Sequence, residues 1–411
     1  MRVTEKRSSI EVRYGWVVVI ASLLISSIAQ GAPNVLFVTL KSISAEFDWP
    51  RAVPSMAFAS LMIGAGVGGV FMGLWMDRRG VFQPVVFGAV MISLGALLAS
   101  QAHTQLSLYV AHGLLMGVMG EAAMIAPLLA NVTRWFDRRR GLAVAIIASG
   151  QAVAGALWPP VARLLNESVG WRETYLFFAV VGLVTTVPLA FLLRRAPPDA
   201  DQAATEQRGT SGRTALQWSP RVVQGALGVA VIGCCAAMAM PLLHLISHTT
   251  DLGYSSKHAA QLFSLLFVAA FFSRIGFGML ADRIGGVLTM FIASAGQAFA
   301  LLCFVFVDSL VGLYLSALAF GLGFAGIMPC YSLLVRLWFP ALESGWRIAT
   351  VYLFAATGMA AGGWLGGYLF DLTASYQLAF VVGFSFNLLN LAVVGALLFR
   401  QTQLRLNPLP V

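Results

Sequence analysis

The sequence predicts an all-α membrane protein in which twelve transmembrane helices form two pseudo-symmetric bundles of six. The first observation is composition, because 59% of the 411 residues are hydrophobic and only 10% are charged, against roughly a quarter charged in soluble globular proteins. The second is a series of apolar segments of about 20 residues or more, the length that crosses a bilayer as a helix. The third is an internal repeat, in which residues 73–80 match residues 278–285.

The apolar segments divide into two groups of six on either side of a polar stretch. Charge clusters and Gly or Pro residues delimit helices in the first half at 15–40, 52–76, 83–101, 105–133, 140–165 and 172–194. The helices of the second half are placed at 221–248, 257–280, 286–306, 309–337, 345–370 and 376–399. We therefore predict an N-terminal bundle over 1–194, a linker over 195–220 and a C-terminal bundle with a short tail over 221–411.

The distribution of basic residues predicts the orientation and the partners of the chain. Arg and Lys are concentrated on the side that contains both termini and the linker, which the positive-inside rule makes the cytoplasmic side of a multi-pass plasma-membrane protein. The net charge is +9, and the basic residues lie mainly at helix ends. They do not form the patch of basic and aromatic residues that lines a nucleic-acid groove, so we expect no nucleic-acid partner. The four cysteines have no metal-site spacing. We expect no metal, no cofactor and no catalytic site, hence no enzyme.

A loop motif occurs twice, as GLWMDRRG from Gly73 to Gly80 and as GMLADRIG from Gly278 to Gly285. This doubled pattern resembles the cytoplasmic loop signature of the major facilitator superfamily. The resemblance implies that the acid of the first copy pairs with basic residues at the cytoplasmic gate and holds the outward-facing state. Val81 and Phe82 replace the usual basic residues after the first copy, so we expect a weaker latch. The implied gating residues are Gly73, Asp77, Arg78, Gly80, Gly278, Asp282 and Arg283.

Several shorter segments resemble the monocarboxylate transporter family and its bacterial relatives, which include oxalate:formate antiporters. They lie in the same order along most of the chain: Tyr14 to Trp16, Ser44 to Ala52, Arg134 to Ala143, Gly170 to Tyr175, His244, Asp251 to Ser255, and Gly366 to Phe380. The resemblance implies transport of a small monocarboxylate such as lactate or pyruvate by alternating access between the two halves. Through the bacterial relatives, it also implies a bacterial inner membrane.

Arg274 is the strongest candidate for substrate binding, because it lies about two turns inside the eighth helix between apolar residues. A buried guanidinium is costly in a membrane and is by default a functional hypothesis. Its planar fork binds a carboxylate through two hydrogen bonds. In the resembled family, the arginine four residues before the motif glycine, here Gly278, binds the substrate carboxylate. The alternative is that Arg274 reaches the membrane surface or pairs with a helix C-terminus.

Two positions depart from the animal members of that family. Those members have an aspartate one turn before the arginine, where this chain has Ala270, and a lysine after a proline of the first helix, where Asn34 follows Pro33. Proton coupling through that acid and base pair therefore does not transfer to this chain. Oxalate-type antiporters have an additional lysine in the eleventh helix, and this chain has none between Ser344 and Phe370. Monoanions fit this pattern better than dianions.

Other polar residues inside the predicted helices complete the candidate site. Glu121 is a candidate proton carrier, with a role in helix contact as the alternative, and His244 could carry the proton, contact substrate or serve the gate. Four neutral polar residues could either donate hydrogen bonds to the substrate or hold neighbouring helices together. They are Asn34, Tyr331, Gln30 and Gln151.

The sequence thus predicts a secondary transporter of small monocarboxylates, with proton symport preferred over anion exchange and uniport. A proton-driven exporter of hydrophobic compounds, which would use Glu121 but not Arg274, and a sensor without transport are the alternatives. A monomer is sufficient for transport in this architecture, and the sequence leaves the oligomeric state open. The partners are the carboxylate, the proton and membrane lipid.

Overall fold

The computed structural model describes residues 12–132, 134–136, 139–197, 216–339 and 344–406. Within these ranges, twelve helical spans are long and apolar enough to cross a membrane. The predicted fold class, an all-α membrane protein with twelve spans, is confirmed.

The first six spans are numbered in chain order. They are span 1, Arg13–Ala29 with Gly31–Phe47; span 2, Ala52–Arg79; span 3, Phe82–Ser100; span 4, Gln105–Val132; span 5, Arg140–Ala148 with Gly150–Ser168; and span 6, Trp171–Phe191.

The remaining six spans follow the linker, most of which lies outside the described residues. They are span 7, Pro220–Asp251; span 8, Ser256–Ile284; span 9, Gly286–Phe306; span 10, Leu310–Phe324 with Ile327–Trp338; span 11, Ser344–Thr373; and span 12, Gln377–Leu406. We call the side where span 1 begins and span 12 ends the terminal face, and the opposite side the distal face.

The packing of the spans repeats between the two halves. Span 2 packs on span 4 as span 8 packs on span 10, and span 3 packs on span 6 as span 9 packs on span 12. One apolar cluster fills the N-terminal half and extends to buried residues of spans 7 and 8, and a second cluster lies within the C-terminal half. The halves meet where span 2 packs on span 11 and where span 8 packs on span 5, which is the same pairing seen from either half. Spans 2, 5, 8 and 11 therefore form the boundary between the two halves.

The two copies of the repeated motif form the same turn. Gly80 has a φ of 74° and Gly285 a φ of 89°, in the left-handed region that favours glycine. The N–H of Gly80 donates to the carbonyl of Met76 at 2.8 Å, and that of Gly285 to the carbonyl of Ala281 at 3.0 Å. The final glycine of each copy thus ends span 2 and span 8 at the terminal face.

Several spans are interrupted near mid-depth, and proline explains two of the interruptions. Span 4 breaks at Ile125, two residues before Pro127, and span 10 breaks two residues or more before Pro329. Proline has no N–H and its ring clashes with the carbonyl four residues earlier, which ends the preceding helical segment. Span 4 also contains a π-helical stretch from Val110 to Glu121. Such stretches occur frequently at functional sites.

Candidate functional site

Contacts between the halves begin at the distal face and continue to mid-depth along spans 5 and 8. Ser256 bonds to Glu167 near the distal end, and the hydroxyl of Ser264 donates to the carbonyl of Ala156 at 2.7 Å. Further along, a Cβ placed on Gly155 would lie 2.3 Å from the Phe267 ring. The glycine therefore lets the two helices approach closely at this depth.

Spans 2 and 11 make a matching series of contacts that ends before the terminal face. A Cβ on Gly66 would lie 3.1 Å from Ala356, but one on Gly73, two turns further along span 2, would have no atom of the described residues within 4 Å. In span 8, the position of Gly278 is equally open, one turn beyond Arg274. Because these glycines share a helix face with the contacting residues, the halves separate there. The central cleft opens toward the terminal face.

Arg274 lies at the depth where these contacts end. Its Nη1 donates a hydrogen bond across the halves to the carbonyl of Ala148, the last residue of the first segment of span 5. Ser149 interrupts span 5 directly after that carbonyl, and its hydroxyl returns to the carbonyl of Ala145 at 2.8 Å, a bond that often bends helices. The Nε of Arg274 has no partner among the described residues. The guanidinium therefore carries a buried donor that no described residue satisfies.

Ala148 is the C-terminal residue of a helical segment, so the hydrogen bond from Arg274 agrees with the alternative in which this arginine pairs with a helix C-terminus. The contact nevertheless joins two halves and satisfies only Nη1 in the described contacts. Within the described residues, no carboxylate forms an ion pair with Arg274. The guanidinium therefore has no carboxylate counter-charge among the described residues.

Gln151 lies beside this contact on span 5. It is one turn from Ala148 and one turn from Gly155, both of which contact span 8, so it faces the same side. The residue is exposed although it lies at mid-depth. Gln151 therefore lies on the face of span 5 that packs against span 8, beside the contact of Arg274 with Ala148.

Tyr352 on span 11 is a site residue that the sequence did not single out. Its phenol oxygen lies within electrostatic range of Arg274, and the hydroxyl of Ser332 on span 10 donates to that oxygen at 3.4 Å. Tyr352 is 45% exposed. An aromatic residue in an apolar helix has the pattern of a lipid-facing residue, and only the fold shows that it borders the cleft.

The N-terminal half contributes a buried carboxyl group at a similar depth. The side-chain amide of Gln30 donates to Oε1 of Glu121, and Oε2 of Glu121 has no partner among the described residues. Glu121 ends the π-helical stretch of span 4, and Gln30 lies at the interruption of span 1. Asn34 follows one turn later on span 1 and is 7% exposed. Two residues predicted separately therefore form one pair.

At the distal face, Arg51 links the two halves. Its guanidinium makes a two-point ion pair with Asp251 of span 7 and donates to the Tyr376 hydroxyl at 2.8 Å. Lys41 also contacts Asp251, at 2.7 Å. The Asp371 carboxylate of span 11 accepts the backbone N–H groups of Arg51 and Ala52 at 2.8 Å each, which caps the start of span 2.

Arg51 and Tyr376 in this distal cluster keep the same protonation state around neutral pH. Burial alone would lower the pKa of Arg51, but its hydrogen bonds to Asp251 and Tyr376 outweigh burial and raise the pKa above its ordinary value. Burial raises the pKa of Tyr376 to about 12, against the opposing effect of Arg51. The arginine therefore stays charged and the phenol stays protonated around neutral pH.

An aromatic layer closes the cleft between the distal cluster and Arg274. Phe37 lies 5.8 Å from Phe58 and 5.5 Å from Phe263 between ring centroids, and Phe263 lies 5.0 Å from Phe267. These rings come from spans 1, 2 and 8, so they join both halves. The site is closed from the distal face by this layer and by the ion pairs above it.

His244 and Tyr331 lie in other contacts. The Nε2 of His244 hydrogen-bonds to the carbonyl of Gly363 at 2.8 Å, and its ring packs on Tyr376. His244 lies seven residues, about 10 Å, from the distal end of span 7, whereas Arg274 lies eighteen residues, about 27 Å, from that of span 8. The Tyr331 hydroxyl donates to Asn390 at 3.0 Å inside the C-terminal half. The structure does not bring these two side chains to Arg274.

The predicted gating residues lie at the terminal ends of spans 2 and 8. Arg78, Asp282 and Arg283 are exposed. The side chain of Asp77 lies outside the described part of the chain, so its predicted latch stays a prediction.

The family of the chain follows from comparison with known proteins. A model of the major facilitator superfamily matches residues 19–225 and 225–410. The chain belongs to the major facilitator superfamily. Its relatives and structural neighbours are transporters of this type and not enzymes, so this protein is a multi-pass membrane transporter of the superfamily.

Two relatives and one solved structure show how similar the chain is to known transporters. Monocarboxylate transporter 13 of Bos taurus is 27% identical over 386 residues, which cover 91% of this chain and 87% of the relative. Monocarboxylate transporter 11 of Homo sapiens is 28% identical over 391 residues, with 90% and 80% covered. A mutant of the nucleoside transporter NupG superposes with a TM-score of 0.71 at 12% identity, covering 93% of this chain and 99% of the other. The last likeness concerns the fold alone.

Proposed function

We propose that this superfamily transporter moves small monocarboxylate anions, such as lactate or pyruvate, across the membrane by alternating access. The observation that supports it most directly is Arg274, a mid-depth guanidinium between the halves that has no carboxylate partner among the described residues. A substrate carboxylate supplies the negative charge that the site lacks, and the guanidinium fork matches it in geometry. The monocarboxylate transporters among the relatives support the same substrate class.

The surroundings of Arg274 define how the rest of a small acid would be held. Gln151 and Tyr352 flank the guanidinium and carry neutral hydrogen-bonding groups suited to a hydroxyl or keto oxygen. Phe267 covers the site toward the distal face. One cation with neutral neighbours fits one carboxylate, because a second carboxylate would need its own counter-charge in a water-poor cleft.

Glu121 is the proton carrier in this proposal. Its carboxyl lies in the N-terminal half with one oxygen bonded to Gln30 and the other without a partner among the described residues. A carboxyl inside a membrane protein that can lose and regain a proton is suited to couple proton and anion movement. Protonation would remove the repulsion between Glu121 and the incoming anion, so the two are expected to travel together.

The direction of opening follows from the charge pattern. The terminal face is rich in arginine, and the positive-inside rule makes it cytoplasmic, with both termini on that side of the plasma membrane. The cleft that opens there is then the inward-facing state, and the cluster around Arg51 is the closed outer gate. Substrate must favour the closed intermediates, because a ligand shifts a conformational equilibrium only through differential affinity.

Binding to the purified protein tests the substrate class. We expect lactate or pyruvate to raise the melting temperature progressively as its concentration increases above the dissociation constant, and we expect dicarboxylates such as oxalate or malonate to have little effect. Stabilisation by dicarboxylates alone, or by hydrophobic compounds with no response to any acid, would reject the proposal. The second of these results is the one that the hydrophobic-exporter alternative predicts.

A further inference from the structure

A second cavity lies at the terminal face of the N-terminal half, outside the central cleft. It has a volume of about 220 Å³ and is lined by residues at the ends of spans 2, 4 and 6 and at the start of span 3. Four of the lining residues are arginines from three separate segments, Arg79, Arg134, Arg194 and Arg195, and Asn131 adds an amide. None of the lining residues that the structure describes is acidic.

Aromatic rings hold two of these arginines in place. The Arg194 guanidinium carbon lies 5.5 Å from the centroid of Phe82 and 6.0 Å from that of Phe191, and the Arg195 carbon lies 4.9 Å from that of Tyr14. Cation and ring contacts of this kind engage the face of a guanidinium. The N–H groups at its edge remain available for an anion, so the arginines are ordered without using their donors on the rings.

We propose that this cavity binds a phosphate group at the membrane surface. Several guanidiniums in one small cavity repel each other, and an anion with several oxygens relieves that repulsion while accepting paired N–H donors. Phosphate offers more charge and more acceptor oxygens than a carboxylate, and it suits a site where Arg79, Arg194 and Arg195 converge. Basic pockets between spans on the cytoplasmic side are places where anionic lipid headgroups bind.

The phosphate can come from an anionic phospholipid or from the solution. Phe191 is 53% exposed at the end of span 6, so the cavity adjoins a surface that faces lipid tails. This position allows a headgroup to enter while its acyl chains lie along span 6. Inorganic phosphate has the same acceptor oxygens but no acyl chains. The two ligands therefore differ in the contacts that acyl chains make with span 6.

Thermal unfolding of the full-length protein in nanodiscs distinguishes these sources. One series increases phosphatidylglycerol in phosphatidylcholine, and the other adds inorganic phosphate to pure phosphatidylcholine. Wild type is compared with Arg194→Gln/Arg195→Gln. The matched control is Arg221→Gln/Arg336→Gln, which removes the same charge from exposed positions of the same face outside the cavity. Melting in pure phosphatidylcholine establishes that each variant is folded, and Arg79→Gln replaces the double variant if it is not.

We expect phosphatidylglycerol to stabilise wild type and the control equally, and the cavity variant to need about tenfold more of this lipid or more for the same effect. Native mass spectrometry should show one retained phosphatidylglycerol that the cavity variant loses. A phosphate response with the same dependence on the cavity arginines would assign the site to soluble phosphate instead. Equal responses of all three proteins in both series, or an equal loss in the control, would overturn the proposal.

Discussion

Arg51, in the loop after span 1, forms a two-point ion pair with Asp251 at the distal end of span 7. The side chains of Arg51 and Asp251 are 14% and 25% exposed, so the pair is partly shielded from water. This ion pair joins the two halves of the transporter, which must separate at this face if the cleft is to open there. It is therefore expected to stabilise the state in which the distal face is closed.

Replacing Arg51 by glutamine should shift the conformational equilibrium toward distal opening. We expect an effect of about 1–3 kcal/mol, between the values for exposed and for buried ion pairs, or a population change of about 5- to 150-fold. Spin labels at Ser168→Cys and Leu372→Cys, on the distal ends of spans 5 and 11, report the separation of the halves. The distance distribution should gain a longer component in Arg51→Gln.

Arg172→Gln is the matched control for this experiment. Arg172 also lies at the distal face and pairs with a glutamate, Glu46, but both residues belong to the N-terminal half. Its loss should leave the label distance unchanged. Equal lengthening in both variants would mean that charge alone, and not the link between halves, sets the equilibrium.

Replacing Glu121 by glutamine should uncouple transport from the proton gradient. Glutamine keeps the shape of a protonated carboxyl and a partner for Gln30, but it cannot release a proton. In proteoliposomes, we expect the variant to equilibrate acid across the membrane while an imposed pH gradient no longer drives accumulation. A gradient response equal to that of wild type would exclude Glu121 as the proton carrier.

The close approach of spans 7 and 11 predicts contrasting effects of two alanine substitutions. A Cβ on Gly362 would lie 2.1 Å from the carbonyl oxygen of Ala236, whereas one on Gly225 would meet no atom within 4 Å in the described part of the chain. Gly362→Ala should therefore destabilise the protein by about 1–3 kcal/mol, and Gly225→Ala should stay within about 1 kcal/mol of wild type. Thermal unfolding in detergent measures both, and equal melting temperatures would contradict the close packing described.

The sequence predicted most of the fold because membrane insertion imposes a simple pattern. Apolar segments fix the number of spans, and the repeated motif reveals the two halves, whose shared turn is seen at Gly80 and Gly285. Pro127 and Pro329 also explain the interruptions of spans 4 and 10, although the apolar pattern alone predicts each span as one continuous helix. Local covalent geometry is visible in a sequence in this way.

The site was less predictable because its contacts are made between distant residues. Arg274 was identified from the cost of placing a guanidinium in an apolar helix, but its partner is a main-chain carbonyl at Ala148, which has no sequence signature. Gln30 and Glu121 were each noticed, yet their pairing depends on how spans 1 and 4 face each other. Tyr352 was missed because aromatic residues are common on lipid-facing surfaces.

The proposed function depends on the binding of a carboxylate by Arg274. The affinities of Arg274 variants for lactate and pyruvate measure this binding. Isothermal titration compares wild type with Arg274→Gln and Arg274→Lys, after melting curves establish that each is folded. Loss of a charge-assisted pair should weaken binding at least about tenfold in Arg274→Gln, and the point charge of lysine should restore part of it. Unchanged affinity for both acids in Arg274→Gln would contradict the account.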